Sequence, residues 1–210
     1  MCYYVSMDYT KVQNNKIIEK TIVALKNHGI DVVLVDTKKQ ALEEILKNVP
    51  AGSKVMNGSS TTLIQIGFSE MLKSGKHKWI NLHEEILKES DHGKQSDLRR
   101  KSITEADYFL SSVNAITEDG QLMAVDASGS RVGALPFAAK KVLIVAGANK
   151  IVPNIKGAFD RIQNYVINLE NERAMKAYGM RSSLNKWIII EKESTPNRIK
   201  LILVKEVLGF

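Results

Sequence analysis

Asp31-Val32-Val33-Leu34-Val35 is a β-branched run, apolar on both faces, set between two stretches of a different period. It is too short for a helix. A strand reads this way when it lies inside a parallel sheet covered by helices on both sides. Upstream, Val12, Ile17, Ile18, Ile22, Val23 and Leu25 recur at helical spacing, with Gly29 as the stop and His28 at the helix end. Downstream, Thr37 is placed to cap a helix through Gln40–Leu46, which Pro50 ends.

The same unit recurs along the chain. Lys54-Val55-Met56 leads through Gly58-Ser59-Ser60-Thr61-Thr62 into a helical stretch from Leu63 to Leu72, and Trp79–Leu82 reads as a strand. Glu84–Ala106 is polar and helical, with Arg99-Arg100-Lys101 as a solvated face. Tyr108–Leu110 follows. Asn114–Thr117 and Leu122–Val125, joined at Glu118-Asp119-Gly120, predict a hairpin. Ser128-Gly129-Ser130 opens a short helix, and Lys141–Gly147 is the most strongly apolar strand. A long helix is expected over Pro153–Ala177. Trp187–Ile190 and Ile199–Val204, split by Pro196-Asn197, read as a second hairpin or edge pair. The expectation is an α/β fold with an open, largely parallel sheet flanked by helices. With no linker or internal repeat, residues 1–210 read as one domain.

Composition narrows the function classes. In 210 residues, 44% are hydrophobic, which supplies a core and excludes a disordered chain. The longest apolar run, Val142–Ala148, is far below the ~20 residues of a membrane span. The opening Met1-Cys2-Tyr3-Tyr4 has no signal-peptide pattern, so a soluble, cytoplasmic protein is expected. Cys2, the one cysteine, forms no internal disulfide and no all-cysteine metal site; near a frayed terminus it reads as inert. A net charge of +7 suits an anionic partner. Aromatics at 6% give no stacking platform, which places nucleic acid last among partners.

Three loops carry the polar chemistry. Gly58-Ser59-Ser60-Thr61-Thr62 joins a strand to a helix, where unpaired N–H groups and hydroxyls suit an anion; lacking Gly-Lys-Ser/Thr, it is no nucleotide-hydrolysing P-loop. An ordinary Ser/Thr helix cap is the competing reading. Asn114 precedes the hairpin, and Ser128-Gly129-Ser130-Arg131 follows it as a second candidate nest. Arg131 offers a planar fork to carboxylate or phosphate. Glu118 and Asp119 are the acid/base candidates, against the blander reading of solvated turn carboxylates. Asn149 and Lys150 stand past the carboxyl end of the strongest strand, where ligands of open α/β sheets bind, although Asn149 also suits a strand cap. His83, Asp91 and His92 match no metal-ligand spacing, so no metal and no cofactor are expected.

In order, Val55…Gly58–Leu63…Ile66-Gly67, Asp107–Leu110, Val113–Gly120, Ser128–Val132, Val142–Gly147, Asn149–Val152 and the terminal Ile202–Phe210 resemble the LUD-domain family, named for lactate utilisation. The resemblance implies the fold shared by ribose-phosphate isomerases, glucosamine-phosphate deaminases and CoA transferases. In those relatives a Gly/Ser/Thr loop after a strand holds phosphate, a role that falls here to Gly58–Thr62. Two departures stand out. The family loop often has two glycines where this chain has Gly58-Ser59. Many compact members carry a cysteine cluster where this chain has Ala174–Ser183, with no cysteine.

The expected function is binding of a small anionic metabolite, carboxylate or phosphorylated, in lactate or related organic-acid metabolism. Gly58–Thr62 would hold the anion, and Asn114, Ser128–Arg131, Asn149 and Lys150 would orient the rest. Two other functions fit the same residues: a non-catalytic subunit beside redox partners, and a stand-alone isomerase or CoA-transferase-like enzyme. Self-association into a homo-oligomer is compatible with each.

Overall fold

The computed structural model describes residues 7–210; Cys2 lies outside them. The first half runs α1 (Asn15–Asn27), β1 (Asp31–Val35), α2 (Lys38–Asn48), β2 (Lys54–Asn57), α3 (Thr61–Gln65), α4 (Phe68–Ser74), β3 (Ile80–Asn81), α5 (His83–Lys88) and α6 (His92–Glu105). Then come β4 (Tyr108–Ser111), β5 (Ala115–Thr117), β6 (Leu122–Asp126), α7 (Ser130–Gly133), β7 (Val142–Gly147) and β8 (Ile151–Val152). The chain finishes with α8 (Ile155–Arg161), α9 (Ile167–Tyr178), β9 (Lys186–Ile190) and β10 (Ile199–Val204).

Six strands form one wholly parallel sheet in the order β1-β10-β7-β4-β2-β3. Its central strands are apolar on both faces because both faces are covered. Leu201 and Leu203 of β10 pack with Ile18 and Leu25 of α1 and Ile103 of α6, while Ile202 and Val204 pack with Ala41 and Ile45 of α2 and Leu63 of α3. Four further strands form a smaller mixed sheet, β8-β5-β6-β9. One face of it joins the first core through Ile116, Leu122 and Ala124. The other, with Met123 and Val125, is covered by Ala158, Ile162 and Val166.

Several expectations are corrected. The second sheet is not foreseen. The tail forms no hairpin and no edge pair: β9 pairs antiparallel with β6 in the small sheet, and β10 lies between β1 and β7 in the large one. Gly67, in the left-handed region at φ 82°, divides the Leu63–Leu72 helix into α3 and α4. The polar helix is also two helices, α5 and α6, with Asp91 capping the second through Lys94 N at 2.8 Å. A π-helical turn over Ile162–Val166 interrupts the long helix. The Asp-Gly hairpin β5–β6 and the Thr37 cap form as expected, the cap being completed by Gln40 as a capping box.

Candidate functional site

The chain passes from the large sheet to the small one twice, side by side. β4 continues through Ser112-Val113-Asn114 into β5, and β7 continues through the tight turn Ala148–Lys150 into β8. Both strand pairs, β4–β7 and β5–β8, are parallel, so the two crossings run together. Lys150 ties them. Its Nζ donates to Ser112 Oγ at 3.0 Å, to Val113 O at 3.0 Å and to Thr62 Oγ1 at 3.1 Å. The third bond reaches the start of α3, which follows β2, the next strand in the sheet. Three neighbouring parallel strands thus end at one place, where open α/β sheets bind ligands.

A cavity of about 790 Å³ opens there. Gly58–Thr62, Asn114, Ser128, Ser130, Arg131 and Lys150 all line it. Gly58 sits close against its neighbours, since a Cβ at this position would stand 3.2 Å from Ser111 Oγ and 3.4 Å from Phe109 Cζ. Ser60 Oγ accepts from Leu63 N and caps α3. Among the described residues the N–H groups of Ser59, Ser60, Thr61 and Thr62 have no acceptor. Asn114 is buried, its Oδ1 accepting from Val125 N at 3.0 Å and from Arg131 Nη2 at 3.3 Å.

The electrostatics are one-sided. Lys73, Arg99, Arg131, Lys150, Arg173 and Arg181 line the cavity against two carboxylates, Asp126 and Glu170. Both carboxylates are engaged. Asp126 accepts from the N–H groups of Gly129, Arg131 and Val132, and Glu170 holds Arg173 through two bonds at 2.7 and 2.8 Å. Burial drives the Lys150 ammonium well below its ordinary pKa, with the Arg161 and Arg131 charges adding to the push. Burial likewise lowers Arg131, which Asp126 and Glu170 partly offset. Polar atoms are left waiting around this space: Asn57 Oδ1, His83 Nδ1 and Arg131 Nε are buried, unpartnered and carried by residues of the lining.

The structure does not bring every expected residue here. Glu118 and Asp119 lie outside the cavity lining, where Lys20 of α1 meets them at 3.0 and 3.9 Å. The turn packs on α1 so closely that a Cβ at Gly120 would stand 2.7 Å from the Ala24 carbonyl carbon. Asn149 also lies outside; its Oδ1 accepts from Leu208 N at 3.1 Å. Gly129 faces the Lys186 side chain. The second nest is filled from within, since Asp126 and Ser128 Oγ take the N–H groups of residues 129–132.

Other lining residues escape a reading of the sequence. Ser112 carries no motif. Arg99, read as solvated, turns to the cavity while its neighbour Arg100 pairs with Asp97. The cysteine-free segment at 178–184 supplies a wall. Among the described residues no three His, Cys, Asp or Glu side chains gather as a metal site, and no helix is long and apolar enough to cross a membrane.

Comparison with known proteins agrees with the architecture. A crystal structure of a DUF162 family protein from Deinococcus radiodurans superposes with a TM-score of 0.54 at 12% identity, over 92% of this chain and 99% of that one. At that identity the likeness shows the fold. The eIF2B beta structure from Chaetomium thermophilum is far more distant, with a TM-score of 0.32 and 17% identity over 67% of this chain and 44% of that one. No curated protein matches the chain. The LUD domain model matches residues 18–204, from α1 to the last residue of β10, so the chain belongs to the LUD domain family.

Proposed function

We propose that this LUD-domain chain binds a small anionic metabolite, carboxylate or phosphorylated, of lactate or related organic-acid metabolism. One observation carries the reading: two enclosed cations, Arg131 and Lys150, border the cavity with no carboxylate in ion-pair contact among the described residues. Isolated buried charge is costly, and an anion from solution relieves it. The Arg131 Nε and the unpaired amides of Ser59–Thr62 offer the donors. Lys150 also orders the hydroxyls: its Nζ donates to Ser112 Oγ and Thr62 Oγ1, Thr62 Oγ1 donates to Ser112 Oγ at 3.2 Å, and Ser112 Oγ donates to Val113 O at 3.3 Å.

Calorimetric titration with lactate, pyruvate, sugar phosphates and acyl-CoA tests this. At least one ligand should bind, and Arg131→Gln should weaken it at least tenfold while the thermal melt stays cooperative. An absence of heat from all of them would remove the reading.

A second function is favoured by the engagement of both lining carboxylates. With Asp126 and Glu170 committed and Glu118 and Asp119 outside, no free carboxylate stands ready as a general base. A non-catalytic, ligand-sensing subunit beside redox partners fits that arrangement better than a stand-alone isomerase. It predicts ligand binding without turnover in the isolated chain.

A further inference from the structure

The floor and the mouth of the cavity differ in chemistry. Thr62, Ser112 and Lys150 at the floor are each no more than 2% exposed, beside the Arg131 guanidinium. The outer lining instead carries Ile64, Leu87, Tyr178 and Met180, exposed by 59%, 67%, 64% and 65%. Isolated exposed apolar residues need no explanation, but four around one opening do. They come from α3, α5, the end of α9 and the segment after it, so no single amphipathic element accounts for them. Tyr178 is also held in place: its ring lies 5.4 Å below the Arg173 guanidinium, which Glu170 fixes.

Size points the same way. Pockets of roughly 300–1,000 Å³ take ligands of drug size, and a lactate-sized acid fills little of about 790 Å³. A folded partner resting on the rim would leave the recessed cations unpaired. A slender molecule with one charged end satisfies both zones.

Building on the anion reading, we propose that the ligand is an amphipathic anion: a carboxylate or phosphate head at the floor and an aliphatic chain of medium length against the rim. Ile64 and Leu87 give the chain branched contacts, Met180 gives it a flexible unbranched one, and Tyr178 closes one side.

The test is calorimetry of the whole chain with straight-chain carboxylates from acetate to decanoate and the matching alkyl phosphates, whose two series separate the head chemistries. Affinity should rise about fourfold per methylene over part of one series, as expected for buried CH₂ groups. The double variant Leu87→Ser, Met180→Ser should lose most of that slope. Both positions are exposed, and a thermal melt reports that the fold is intact. A short anion that binds with no gain along the series overturns the amphipathic ligand and leaves the anion site standing. A slope that persists in the double variant also overturns it, by placing the chain elsewhere. No binding by any member removes both.

Discussion

Gly147 ends β7 with an ordinary backbone, φ −72°, yet no side chain fits there. A Cβ would stand 2.5 Å from Glu206 O and 2.7 Å from Leu208 N, both backbone atoms that cannot step aside. Gly147→Ala should therefore cost about 1–3 kcal/mol or more in urea unfolding. His83 gives a pH test. Burial first, and the Arg99 charge second, hold its imidazole below the ordinary 6.5. The unfolded chain then takes up a proton that the folded chain resists, so stability falls as pH drops through about 6.5 and levels off below the folded pKa. His83→Gln should flatten that part of the pH–stability curve. At this scale the loops that carry Thr62, Asn114, Arg131 and Lys150 to the cavity are legible in the sequence, because each follows a strand and breaks its apolar pattern. The position of Glu118 and Asp119 outside the cavity lining is not legible in it. Their turn type is legible, but the contact with α1 that points them at Lys20 is a tertiary fact.

Among the elements, the connection between β9 and β10 is pinned by one arginine. Arg198 pairs with Glu193 at 2.6 Å, the two side chains being 10% and 7% exposed, and donates to the carbonyls of Leu135, Pro136 and Ala139. Arg198→Ala should cost about 3–5 kcal/mol in denaturant unfolding, since it strands a buried carboxylate and the part-buried carbonyls of Leu135 and Ala139. Burial tends to raise the Glu193 pKa, but the bonds from Arg198 and from Thr195 N outweigh it, so the carboxyl titrates below its usual range. Its contribution is present at neutral pH and is lost as pH falls through that lowered value. The elements themselves were mostly legible from period, caps and turns. Their partners were not: Trp187–Ile190 and Ile199–Val204 are both apolar runs, and nothing in an apolar run names the strand beside it. The split of the long helix at Ile162–Val166 leaves no mark in residue type that propensity would register.

Across the whole molecule, a net charge of +7 and six cationic side chains around one cavity act together on any incoming anion. Charge attraction at longer range is screened within about 10 Å at 0.1 M salt. Association rates for the anion should therefore fall severalfold between low and high salt in stopped-flow measurements. With the anion held at Arg131 and the α3 amides as proposed, dissociation should change far less.

The position of β10 also bears on how the protein is made. The strand that separates β1 from β7 comes after both of them in chain order, so it leaves the ribosome later than either. Until it arrives, β1 has no neighbour in the large sheet, and the flank of β7 that will meet β10 stays open. Exposed strand edges of this kind recruit other chains. A nascent polypeptide stalled before residue 199 should be held in a protease-sensitive, chaperone-binding state, and release of the segment that carries β10 should convert it in one cooperative step.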